Sequence, residues 1–189
     1  MIKGCLFSLV MLFSCGEKGI QEKKASTLAT SQLTSYPNLP VDTIRIDLRL
    51  SSLRWKGTKL MGLGSHEGDI RIQKGYLLAE DGDLRGGKVT INISSLRVTD
   101  IPASDPIPLF SLTEHLKGED FFAVDQFSTA MLDLAKVTKM GQNLFLISAV
   151  LEIKGIRKPI EFAAELKKNT YKANFKLDRF DWNIAYEGS

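Results

Sequence analysis

Cysteine is almost absent from this chain, and its placement carries information. Among 189 residues there are two, Cys5 and Cys15, and none follows. A disulfide-built fold and a cysteine metal site are therefore excluded for everything after position 15. Histidine is equally scarce. His66 and His115 are the only two, with no His-Glu-x-x-His or similar ligand spacing, so no metal is expected. Charge of one sign is not concentrated anywhere. Lys and Arg number 25 against 22 Asp and Glu, a net +3, and the signs alternate, as in Asp42-Thr43-Ile44-Arg45-Ile46-Asp47. A nucleic-acid binder gathers its basic residues on one face or in one run, so nucleic acid is not an expected partner. Nucleophile signatures are missing as well. In Gly64-Ser65-His66-Glu67-Gly68 the serine stands one place too early for Gly-x-Ser-x-Gly, and no glycine-rich phosphate loop occurs. An enzyme would need paired acid–base groups that no spacing here provides. No catalytic residue is assigned and no enzymatic activity is expected.

The apolar run Leu6–Phe13, broken only by Ser8, is too short to cross a bilayer, which takes about 20 apolar residues. It does have the length of a signal-peptide apolar region behind the short basic start Met1-Ile2-Lys3. It ends in Leu12-Phe13-Ser14-Cys15, followed by the polar Gly16-Glu17-Lys18. This resembles a bacterial lipobox, in which the cysteine is lipidated and becomes the new N-terminus, although Phe13 is bulkier than usual at its position. The expectation is a signal peptide over residues 1–14 and a lipid anchor on Cys15. More than one acyl tail there, palmitate-like in kind, suffices for stable membrane attachment. The chain is then expected in the bacterial cell envelope, on the periplasmic or outer-membrane side. Residues 16–40 are polar and small, without apolar period, and read as a flexible tether reaching roughly 25–30 Å.

From Pro40 onward the pattern changes to period two. Ile44, Ile46, Leu48 and Leu50 alternate with polar neighbours, giving one face to a core and one to water. The same alternation covers 69–73, 88–94, 143–154, 159–167 and 171–177. Turn signals stand between: Lys74-Gly75, Asp81-Gly82, Gly86-Gly87, Met140 to Asn143, Lys154-Gly155 and Lys168-Asn169. Short strands at this spacing predict an all-β antiparallel barrel or sandwich over residues 41–189. One helix is predicted over 111–117, opened by a Ser111-x-x-Glu114 capping box and stopped by Gly118. Pro102, Pro106 and Pro108 mark a loop before it.

Several segments together resemble the YceI-like family. They are Trp55 to Lys59, Gly64 to Gly68, Gly86 to Leu96, His115 to Val124 with its Asp120-Phe121-Phe122, and the Lys154-Gly155-Ile156-Arg157-Lys158-Pro159 hairpin. The resemblance runs from about Thr43 to Ile184. It implies an exported, lipocalin-like β-barrel with a polyisoprenoid or other long-chain lipid inside, a ligand that a barrel of about eight strands can just hold. Two departures stand out. Gln126-Phe127-Ser128 replaces a usual tyrosine-proline, and the resemblance implies a final strand beyond Ser189, without which the barrel would be left with open edges.

The large apolar side chains nearest such an interior are sought among Trp55, Phe110, Phe121, Phe122, Phe127, Phe162, Phe175, Phe180 and Trp182, any of which could equally be plain core. Ligand contact is assigned to Trp55, Phe121, Phe122 and Trp182, with His66 a candidate for fixing a polar head and otherwise a hydrogen-bonded strand-end residue. The bound molecule is expected to be an isoprenoid or fatty-acyl lipid, with no cofactor besides. Each buried methylene contributes roughly 0.8 kcal/mol while association costs at least about 4 kcal/mol, which selects long ligands. A ligand-free barrel contacting an envelope protein through the loop 100–110 is the alternative. A homodimer is compatible with either.

Overall fold

The computed structural model describes residues 6–14, 41–58 and 64–184. Cys15 and the tether 16–40 lie outside these. Nine strands and one α-helix follow in chain order: β1 Leu6–Ser14, β2 Asp42–Arg45, β3 Ser52–Thr58, β4 Ser65–Glu80, β5 Asp83–Val98, α1 Pro106–Lys117, β6 Thr129–Lys139, β7 Leu144–Ile153, β8 Ile156–Lys167 and β9 Thr170–Asp178. Every pairing is antiparallel. The ladder runs β4-β3-β1-β9-β8-β7-β6-β5 and returns through β5 to β4, with β2 added along the far half of β4. The all-β, antiparallel barrel with one helix is thus the observed architecture.

Three hairpins show how local chemistry sets the register. The two-residue connections Asp81-Gly82, Lys154-Gly155 and Lys168-Asn169 all have positive φ at both positions (51° and 82°, 51° and 71°, 46° and 60°). This is the mirror-image turn whose twist matches that of the flanking strands. Along β9 the burial alternates without exception, with Tyr171, Ala173, Phe175 and Leu177 inside and Lys172, Asn174, Lys176 and Asp178 less buried. A one-residue slip would turn that whole set to water.

The structure corrects several expectations. Leu48 and Leu50 do not continue a strand. The Asp47 carboxylate accepts from the Arg49 and Leu50 backbone N–H groups at 2.8 and 3.3 Å, so residues 47–50 turn and both leucines are exposed. Gly75, Gly86 and Gly87 lie inside β4 and β5 rather than in turns. Gly87 has φ 153°, and a Cβ there would stand 2.6 Å from the Tyr76 carbonyl oxygen, so glycine serves close approach between strands. The helix begins five residues earlier than predicted. Pro106 occupies its first turn, where the absent N–H would have no intrahelical partner, and Asp105 is the N-cap. Ser111 is consequently interior and the capping box does not form. The helix does stop at Gly118, whose N–H donates to the Glu114 and His115 carbonyls.

At the N-terminus, Leu6–Ser14 forms β1 between β3 and β9. β9 is therefore not an open edge.

Candidate functional site

The inward-facing side chains of six strands converge on one internal cavity. Leu53 reaches it from β3, Ile70 from β4, Ile91 and Ile93 from β5, Ala130 from β6, Leu151 and Ile153 from β7, and Leu177 from β9. Two non-strand segments complete the wall. The turn after α1 supplies Phe121 and Phe122, and a 3-10 turn over Arg179–Trp182, with Ile184 just beyond it, supplies the rest. Twelve of these thirteen residues are apolar and one, Arg179, is charged.

The aromatic part of the wall is held by short local contacts. Phe121 and Phe122 meet edge to face, with centroids 4.9 Å apart at 71°. The His115 ring approaches Phe121 the same way at 5.7 Å, a geometry favoured by the ring quadrupoles. The backbone beneath them turns sharply. The Phe122 N–H donates to the Leu116 carbonyl at 3.2 Å and the Ala123 N–H to the Gly118 carbonyl at 2.7 Å, with Ala123 in the left-handed region. Opposite, the Trp182 indole is 2 % exposed and its Nε1–H donates to the Leu151 carbonyl at 3.2 Å. A buried indole needs such a partner. Arg179 is buried among these rings. Its guanidinium carbon lies 5.6 Å from the Phe121 centroid and 4.7 Å from that of Phe180, and its Nη1 donates to the Ile184 carbonyl at 2.8 Å.

Three of the five candidate residues therefore come together: Phe121, Phe122 and Trp182. Two do not. Trp55 is buried on β3, but its ring covers Gly68 on β4, where a Cβ would come within 2.8 Å of two indole carbons and overlap the Arg97 carbonyl oxygen. It packs in the core in the same inward phase as Leu53 but is not among the residues that line this cavity. His66, at the start of β4, faces Asp100 across the rim, with Nδ1 2.9 Å from Oδ2. The carboxylate can only accept, so the bond places the proton on Nδ1. Phe110 points outward and is 68 % exposed. Sequence reasoning passed over Arg179 altogether. Its signal was positional, because residue 179 continues the inward phase of Tyr171, Ala173, Phe175 and Leu177.

The cavity measures about 40 Å³. Pockets that enclose small molecules run from about 300 to 1,000 Å³, so the interior as it stands is nearly filled by its own side chains. Elsewhere the core is closed by Phe162 stacked on Phe175 at 4.4 Å and by Phe145 meeting Tyr171 edge to face at 5.7 Å. Among the described residues no group of three or more His, Cys, Asp or Glu assembles, and no helix is long and apolar enough to cross a membrane.

A known structure shares this architecture. A crystal structure of BcnA from Burkholderia cenocepacia superposes with a TM-score of 0.51 at 17 % identity, covering 65 % of this chain and 72 % of that one. The YCEI protein of Campylobacter jejuni aligns over 82 % of this chain and 77 % of its own, at 17 % identity and a TM-score of 0.38. A mutant of that protein, crystallised with monobromobimane as guest, gives 0.39 at 18 % identity over 80 % and 70 %. No curated protein matches the chain in sequence. The model of the YceI-like domain, however, matches residues 45–189, most of the chain and all but the first two strands, and this protein belongs to the YceI-like family.

Proposed function

We propose that this protein binds a long apolar molecule, an isoprenoid or fatty-acyl lipid, inside its barrel and holds or carries it in the bacterial envelope. The observation that carries the reading is the composition of the cavity wall, twelve apolar residues around one cation. Such a wall gains free energy by desolvating hydrocarbon and almost nothing by binding a polar solute. At about 40 Å³ the cavity must widen to admit a chain. The lining residues outside the ladder, Phe121, Phe122, Arg179, Trp182 and Ile184, are where widening breaks fewest backbone bonds. Entry is therefore placed at the end of the barrel closed by the Phe121–Phe122 turn.

The same reading includes a lipid anchor on Cys15, supported by the lipobox-like Leu12-Phe13-Ser14-Cys15. Cleavage before Cys15 would remove β1, so the anchored protein and the β1-closed barrel are alternative fates of one segment.

A second reading has its own support. The near-filled interior, together with Ile107 and Phe110 exposed three residues apart on α1, fits a plugged barrel that docks an envelope partner through this helix.

Purification from the native host separates the readings. Organic extraction followed by mass spectrometry is expected to return a near-stoichiometric long-chain lipid, and the intact mass to show an acylated N-terminus at Cys15 that Cys15→Ser abolishes. Repeated preparations without lipid would reject the carrier reading and leave the interaction reading. An unprocessed Met1 terminus would reject the anchor.

A further inference from the structure

We infer that Arg179 is the head-group anchor of this cavity, so that the ligand is a long-chain amphiphile with an anionic head, a carboxylate or a phosphate. The inference rests on the lipid-binding reading and narrows it. Arg179 is the one charged residue counted as buried among the described residues, at 8 % exposure. It lines the cavity, yet no carboxylate shares that wall, and no ion pair among the described residues includes it.

Burying a guanidinium is unfavourable unless it is paired and fully hydrogen-bonded. Here the compensation is partial. Nη1 donates to the Ile184 carbonyl, and the ring faces of Phe121 and Phe180 lie within cation–π range. Nε is buried and has no partner at all. A planar guanidinium with a vacant donor in an apolar pocket suits a carboxylate or phosphate oxygen, which accepts a charge-assisted hydrogen bond and neutralises the charge together. A neutral alcohol could accept one hydrogen bond but would leave the charge uncompensated. Position supports the assignment as well. Arg179 stands beside Phe121 and Trp182, at the end where the wall is not laddered, so the head would rest there while the chain runs between Leu53, Ile91 and Leu151.

Tryptophan fluorescence titration of the delipidated full chain with hexadecanoate, hexadecyl phosphate and hexadecanol, each below its aggregation concentration, tests the idea. At least one anionic ligand is expected to bind about 10- to 100-fold more tightly than hexadecanol, the range for hydrogen bonds to charged groups. Which anion wins tells a fatty acid from a phosphorylated lipid. Arg179→Gln is expected to erase the preference, bringing the anion's affinity to that of hexadecanol. Equal affinity of the native protein for all three would overturn the anionic head and leave lipid binding intact. Binding of none would overturn both. Should Arg179→Gln fail to fold, the native three-ligand comparison decides alone. A folded Arg179→Gln variant that keeps the anion preference would remove the role from Arg179.

Discussion

Trp182→Ala is expected to cost about 3–5 kcal/mol of stability, the range for deleting a large buried aromatic. For a domain of this size that lowers the melting temperature by roughly 6–20 °C. Two effects add. The indole is 2 % exposed and contributes to the cavity wall, so its removal leaves a void that a sheet laddered on both sides closes only partly. The Leu151 carbonyl, which accepts from Nε1, also loses its side-chain donor. Trp182→Phe separates the two, since it restores most of the volume without the N–H. A cost of about 1–2 kcal/mol is expected there, near the value of one buried hydrogen bond and some misfit. Thermal or urea unfolding followed by circular dichroism reads both variants. An alanine variant as stable as the parent would mean the indole is not packed against β7.

The second large effect concerns β1. In the chain with residues 1–189 intact, Val10→Pro is expected to destabilise by about 3 kcal/mol or more, because proline removes a ladder donor and is excluded from strands paired on both sides. Val10 stands opposite Arg54 of β3 and Asn174 of β9, so the substitution falls at the seam that closes the ring. The barrel would open between β3 and β9, and amide exchange should rise along both. In protein processed at Cys15 the same substitution has no effect on stability, because the residue is gone. Unchanged stability of the intact variant would show that Leu6–Ser14 is not a barrel strand in solution.

How far these features could be read from sequence varies with the physics behind each. The core strands announce themselves because alternation is dictated by the pleat, and the two-residue turns because positive φ favours glycine, asparagine and their like. β6 was hidden by composition. Its Met131, Leu132, Leu134, Ala135 and Lys136 are good helix formers, and its buried face begins with a small residue, Ala130. The helix start was misplaced because Ser111-x-x-Glu114 is a sound local signal that tertiary packing overrode, with Pro106 serving as the first turn. Leu48 and Leu50 kept a strand-like period, but Asp47 captured the backbone first. The apolar run Leu6–Phe13 illustrates a real degeneracy, since seven apolar residues broken by one serine serve a signal peptide or a strand equally well. Aromatic content singles out Phe121, Phe122 and Trp182, which line the cavity. Trp55 packs over Gly68 instead, a cross-strand relation no single strand reveals. Arg179 escaped because a search for apolar wall residues discards charge, even when the charge falls in the inward phase.

The central claim is that the cavity opens to take a hydrocarbon chain, and chain length is its most direct probe. Isothermal titration of the delipidated protein with saturated chains of about 8 to 18 carbons bearing one common head should show affinity rising about fourfold per methylene, the equivalent of roughly 0.8 kcal/mol each, until the widened interior is full. Affinity independent of chain length, or no binding at any length, would contradict the account and leave a barrel plugged by its own aromatic side chains.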